Sequence, residues 1–353
     1  MDRCAFRGVR DILSRHPYPG DVDVESNRWV TDTALDLVDA YEPQLACVFY
    51  AHQFFAGRYS PMTEDQRKGM IENVFAEVRR FIGESGYSPV IVGSGDMVEV
   101  AGEMDLSDVD GIAISSHWSA RYAGLHDASP RDLDRVRSLP QIERVVRRDE
   151  WIGLFPGVAH QPERIPEYLL VAREGWTFIT TGAPMRKALR VPGPGFSIPV
   201  ATPLGQPGAV TGIRPLIEAN LGSTKIALII IEGIGRRDFR MPCRPCVNSV
   251  DWYYYEPGDG LYLTLMTGKH QVFEYPNGYQ YHDELDAKKD YPFSGYFLKV
   301  PGHTLVSDFQ GRSIAVGNHS MFVHMVFGAD ICIECFARNL YNQGCLGVIH
   351  RFK

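Results

Sequence analysis

The residues whose types could do chemistry collect behind one apolar run. Ile226-Ala227-Leu228-Ile229-Ile230-Ile231 is followed at once by Glu232, then by Gly233, Ile234 and Gly235. A carboxylate at the carboxyl end of a buried strand stands where ligands bind in open α/β sheets. Glu232 is either a contact for substrate or metal, or a cap for the turn that follows. Arg236 and Arg237 come next and offer two planar forks for a phosphate or carboxylate. Their alternative is a solvated helix start. Trp252-Tyr253-Tyr254-Tyr255 opens an aromatic stretch that continues through Tyr275, Tyr279, Tyr281, Tyr291 and Tyr296. It suits a pocket for a flat ligand, or a half-buried packing layer.

Two further groups are less selective. Cys243/Cys246 and Cys332/Cys335 have the Cys-x-x-Cys spacing of structural zinc sites, but far more chain separates the pairs than a zinc ribbon allows. His270, His282, His303, His319 and His324 all lie in the last third, and no spacing singles out one of them. Gly233-Ile234-Gly235 alone is too short for a dinucleotide fingerprint.

The elements that must hold these residues alternate between strand and helix. Four of the six residues 226–231 are β-branched, which suits a strand buried on both faces in a parallel sheet. Leu45–Tyr50 and Val90–Gly93 share the pattern: an apolar strand, a polar loop (Ala51-His52 and Ser94-Gly95-Asp96), then a helix or turn. The three are therefore expected to be neighbours in one mainly parallel sheet. Helices are expected from Asp32 to about Ala40 and from Thr63 to Gly83, the second with Ile71, Val74, Phe75, Val78, Phe81 and Ile82 inward. Shorter helices are expected at Asp132–Leu139 and Pro215–Asn220, and strands at Ile112–Ile114 and Ser313–Gly317. Tyr168–Ala172 and Trp176–Ile179 read as a hairpin, residues 1–30 as loop-rich, and 190–212 as a Pro/Gly-rich connection. The whole, residues 1–353, reads as a single α/β domain.

Composition narrows the function. A net charge of −7 disfavours general nucleic-acid binding, which needs a basic surface. No apolar run is long enough to span a bilayer, and the first residues lack the apolar core of a signal peptide. Seven cysteines, an odd number, fit reduced thiols and a cytoplasmic setting.

Taken together, the order of pieces resembles the type I phosphodiesterase/nucleotide pyrophosphatase branch of the alkaline phosphatase superfamily, with its halves exchanged. Ile231-Glu232-Gly233-Ile234-Gly235 is similar to that family's strand-end Asp-Gly-Leu-Gly, and Thr267-Gly268-Lys269-His270 to its Thr-Gly before a His turn. Residues 48–57 with the helix after them, and Ser94-Gly95-Asp96-Met97, resemble pieces of the family's second half. So do Arg147-Arg148-Asp149-Glu150 and Arg164-Ile165. On this resemblance residues 1–208 correspond to the family's second half and 209–353 to its first.

The resemblance implies an alkaline-phosphatase-like core but not the family's paired zinc ions. Glu232 stands for the first Asp ligand, Ser94-Gly95 for an Asp-His pair, and His52 alone where an Asp and a His belong. No Ser or Thr nucleophile stands near residues 256–260, and no His near 192–195. The implied protein is a metal-independent relative, repurposed for specialised metabolism, that takes a small molecule and no cofactor and works by acid–base or shape-based catalysis, with Glu232, His52 and Asp96 catalytic. Ser94, Arg236, Arg237, Tyr254, Thr267 and His270 would line its substrate site. A pseudoenzyme that binds a ligand or partner, and a metal-dependent phosphodiesterase, are the alternatives.

Overall fold

Apolar strands with no polar face need cover on both sides, and that requirement builds the molecule. The structure is a computed structural model and describes residues 3–20, 22–114, 121–155, 165–179, 187–270, 304–306, 309–310, 313–318 and 331–334. Its central sheet has seven strands: β1 (Leu45–Tyr50), β2 (Ser88–Gly93), β3 (Ser197–Ala201), β4 (Ile226–Ile231), β5 (Arg244–Val247), β6 (Ser313–Gly317) and β7 (Ile331–Glu334). Their order is β5-β3-β2-β4-β1-β6-β7. The run from β2 to β7 is parallel, and β3 and β5 join antiparallel at one edge. The fold is α/β with a central, mainly parallel sheet flanked by helices, and β2, β4 and β1 are direct neighbours as their shared pattern requires.

Alternation along each strand sorts the core into two layers. Cys47 and Phe49 of β1, Val90 and Val92 of β2, and Leu228 and Ile230 of β4 face α5 (Ile213–Asn220) and α6 (Asp259–Thr267). On the other face, Val48 and Tyr50, Ile91, and Ile229 and Ile231 meet α1 (Arg3–Arg15), α2 (Ser26–Tyr41) and α4 (Glu64–Ser85). In α4, Ile71, Val74, Phe75, Val78 and Phe81 are buried, at the spacing of one helical face. Thr63 and Gln66 close its start with a capping box, and Gly86 ends it at a φ of 68°. No helix among the described residues is long and apolar enough to cross a membrane.

A second sheet, of four antiparallel strands, lies against the first layer. Its order is Ile112–Ile114, Tyr122–His126, Tyr168–Ala172, Ile142–Arg147. Leu169 and Val171 face the main core, while Leu170 and Ala172 face a smaller cluster with Leu125, Val136 and Ile142.

Four expectations change. Tyr168–Ala172 and Trp176–Phe178 form no hairpin with each other. The first, apolar on both faces, lies between two strands of the second sheet, and the second pairs in parallel with Gly102–Met104. Gly102 is where the Trp176 ring packs, a position that leaves no room for a Cβ. The breakers Pro17, Pro19 and Gly20 act only after residue 15, so α1 forms ahead of them. Helix α2 begins at Ser26, six residues before the expected Asp32, because its first turn buries polar Ser26 and Asn27. Residues 190–212 contain the strand Arg190–Pro192 and β3. In β3, Pro199 stands opposite Pro245 of the edge strand β5, where neither ring nitrogen can donate to a ladder.

Candidate functional site

Parallel neighbours deliver their carboxyl ends to one edge. β1 leads to Ala51 and His52, β2 to Ser94–Asp96, β4 to Glu232, and β6 to Asn318. Most of these polar groups are buried and bound to one another. Glu232 is 0% exposed, and its Oε1 accepts the Tyr262 hydroxyl of α6 at 2.6 Å. Its backbone nitrogen donates to Tyr50 O at 2.9 Å. Gln53 Nε2 donates both to the Glu232 carbonyl (2.7 Å) and to Tyr50 O (2.6 Å). Asn318 Oδ1 accepts the Ala51 N–H at 2.6 Å, and its Nδ2 donates to Ser26 Oγ at 2.8 Å. His52 begins α3 (His52–Tyr59) at the same edge and is buried.

The β2 and β4 loops interlock. Ser94 Oγ accepts the Gly233 N–H at 2.9 Å, and Gly95 N donates to Ile234 O at 3.2 Å. Gly233 has a φ of 71° and lies against Phe54, so the turn needs glycine there. Gly235 lies directly on Asp96; a Cβ there would overlap the Asp96 carboxyl and backbone nitrogen.

Asp96 is the exception to the buried pattern. It is half-buried, and desolvation pushes its pKa above the ordinary carboxylate value. Arg237 opposes that rise and Asp238 adds to it. The N–H groups of Gly235 and Arg237 lie close enough to draw it down, yet Asp96 Oδ1 is buried with no donor at hydrogen-bonding geometry. Beyond Asp96 opens a cavity of about 420 Å³, walled by Glu64 and Arg67 of α4, Met97 and Glu99, Arg190 and Arg237.

The remaining sequence candidates sit elsewhere. Arg236 is exposed beside Cys243. Thr267 closes α6: its hydroxyl donates to Leu263 O at 2.7 Å and accepts the Lys269 N–H at 3.2 Å. His270 lies parallel to the Tyr255 ring and shares a 3.1 Å hydrogen bond with its hydroxyl, and burial lowers its pKa. Tyr254 is buried under the Arg121 guanidinium at 4.7 Å, and its backbone N and O both bond the Tyr122 hydroxyl. Tyr253, Tyr254 and Tyr255 thus form a packing layer between the second sheet and the core. Tyr275, Tyr279, Tyr281, Tyr291, Tyr296, His282, His303, His319, His324 and Arg164 lie outside the described residues.

Among the described residues no three His, Cys, Asp or Glu side chains converge as a metal site needs. A zinc shared by the two cysteine pairs is ruled out by topology. Cys246 is in β5 and Cys332 in β7, the opposite edges of the sheet, six strand spacings or roughly 29 Å apart. Cys246 is buried and Cys243 exposed, as an extended chain places residues three apart on opposite faces.

Sequence reasoning missed Tyr262, Gln53, Asn318 and Arg190. Tyr262 stands in the apolar run Leu261–Met266 and reads as core, while Arg190 lies in the stretch taken for a connection. No protein-family model matches the chain, and no curated protein matches it. Solved structures of the phosphonoacetate hydrolase of Sinorhizobium meliloti 1021 show a partial likeness. The complex with phosphonoformate gives 15% identity and a TM-score of 0.40, and that with phosphonoacetate 16% and 0.38. Each match covers 51% of this chain and 50% of the hydrolase, so the likeness spans about half of either protein.

Proposed function

We propose that the protein is a small-molecule enzyme that works at the carboxyl edge of its central sheet by acid–base chemistry, without a bound metal. On this reading the chain is a permuted relative of the phosphodiesterases in which the metal-ligating positions have changed. Support comes from the adjacency of β2, β4 and β1, which brings Asp96, Glu232 and His52 to one edge. The observation that carries the reading is Asp96: a half-buried carboxyl with a raised pKa, one residue before Met97 in the wall of a cavity of about 420 Å³. A carboxyl group shifted in that direction is a better proton carrier than a free one. Glu232 and His52, both buried, would hold the Gly233–Gly235 turn and α3 in place around it.

A second reading, binding without turnover, is favoured by a different observation. Ser94 and Glu232 are buried and already engaged by Gly233 and Tyr262, which commits them to the internal structure. Turnover assays on a panel of phosphate- and carboxylate-bearing small molecules, with and without a chelator, separate the readings. The expected result is chelator-resistant turnover that falls at least about 100-fold in Asp96→Asn. Saturable binding of a panel member with no turnover supports the second reading. Activity lost to the chelator and restored by zinc would return the protein to the metal-dependent phosphodiesterases.

A further inference from the structure

We propose that Arg190 and Arg237 form a clamp for the oxyanion group, carboxylate or phosphate, of the small molecule that enters the cavity beside Asp96. The inference rests on the site proposed above and names its substrate class. Three guanidinium groups reach this cavity, and they are not equivalent. Arg67 is fully engaged: Nε and Nη2 grip the Glu64 carboxylate at 2.9 and 2.8 Å, and Nη1 meets Asp238 at 2.6 Å. It is a wall.

Arg190 and Arg237 are held only loosely. Arg190 stands across the strand pair from Glu99, with a closest approach of 3.7 Å, and Glu99 is 85% exposed. Arg237 approaches Asp238 no closer than 3.6 Å, and Asp238 already accepts Arg67. Neither separation is that of a hydrogen bond. A long ion pair whose acidic member is exposed, as Glu99 is, contributes little and is readily exchanged for a better partner.

The surroundings favour an oxyanion over other ligands. Glu64 is held by a two-pronged contact with Arg67, and Glu99 stands 3.7 Å from Arg190, so the walls carry three guanidinium groups against two carboxylates, with one guanidinium in excess. Two planar forks lining one cavity suit the lone pairs of a carboxylate or phosphate. Met97, almost fully buried, supplies an apolar floor for the rest of the molecule. Asp96 directly precedes Met97 and interacts with Arg237, so an anion held by Arg237 lies next to the proposed proton carrier.

The test is calorimetric titration with inorganic phosphate, phenylphosphonate and benzoate in chloride buffer of constant ionic strength. Saturable binding of the phosphorus anions or of benzoate identifies which oxyanion is taken. Arg190→Ala and Arg237→Ala should each weaken that binding at least about tenfold with unchanged melting temperatures. Glu99→Ala should tighten it about two- to threefold by releasing Arg190, a gain that a merely structural ion pair would not give. No saturable binding, or binding unaltered in both arginine variants, would overturn the clamp. Asp96→Asn separates this proposal from the one it rests on. Full turnover in Asp96→Asn with binding lost in the arginine variants keeps the clamp and removes the catalytic reading. Lost turnover in Asp96→Asn with binding unaltered in the arginine variants does the reverse.

Discussion

Glu232 and Arg237 are five residues apart in one turn, yet they belong to different kinds of surface. Glu232 is fully buried and its carboxylate takes the Tyr262 hydroxyl at 2.6 Å. Arg237 is 61% exposed, with its nearest carboxylate 3.6 Å away. The first region has spent its polar groups on holding the strand ends together; the second keeps guanidinium donors without a hydrogen-bond partner among the described residues. A polar residue at a strand's carboxyl end is therefore an ambiguous sign of a site. Unengaged hydrogen-bonding capacity beside a cavity is the better one.

The contrast can be broken most forcefully at Glu232. Replacing it with Ala removes a buried acceptor and leaves the Tyr262 hydroxyl without that partner. The expected loss is about 3 kcal/mol of stability in urea denaturation. A loss below about 1 kcal/mol would mean that the edge does not depend on this carboxylate. Tyr262→Phe takes only the donor and should cost about 1–2 kcal/mol on the same measurement, with oxyanion binding unchanged. Asp96→Asn, on the boundary between the regions, tests the pH dependence. The folded state raises the Asp96 pKa above that of a free aspartate, so folded protein keeps a proton that unfolded chain releases. Stability from that proton is present at low pH and fades as pH rises from about 4 through the raised value. Melting curves of Asp96→Asn should therefore gain on wild type with rising pH, and a gap that stays constant would exclude a raised pKa. Smallest of all, Arg237→Ala should change stability by less than about 0.5 kcal/mol, because its contacts are those of an exposed side chain.

The sheet was legible because its signal is periodicity and burial. Residues 45–50, 90–92 and 226–231 are continuous apolar runs, and such runs pack beside one another in parallel sheets. The start of α2 was hidden because Ser26 and Asn27 look like loop residues; their partners are distant in sequence, Asn318 for both, and Gln53 and Asn73 for Asn27. The same limit governed the site. Glu232, His52 and Asp96 follow strands and could be placed at one edge from pattern alone. Whether each faces a cavity or another side chain depends on Tyr262, Gln53 and Arg190, whose positions are set by long-range pairing. At Thr267 and Tyr254 residue type suggested a ligand, and the structure shows in addition a helix end and a packing layer that engage them.

The strand order also bears on how the chain reaches this state. In the middle of the sheet Ala46 lies between Ala227 and Ile314, and β2 lies between strands that follow it by a hundred residues or more. Contacts this distant in sequence give a high contact order, and loop closure must be completed before any of them returns free energy. During synthesis β1 emerges with both edges bare and stays so until β4 and then β6 have been made. Either half of the chain, made alone, would hold strands whose neighbours belong to the other. The sheet that gathers the strand ends into one edge thus forms late and as a unit, and interrupted synthesis leaves open strand edges prone to aggregation.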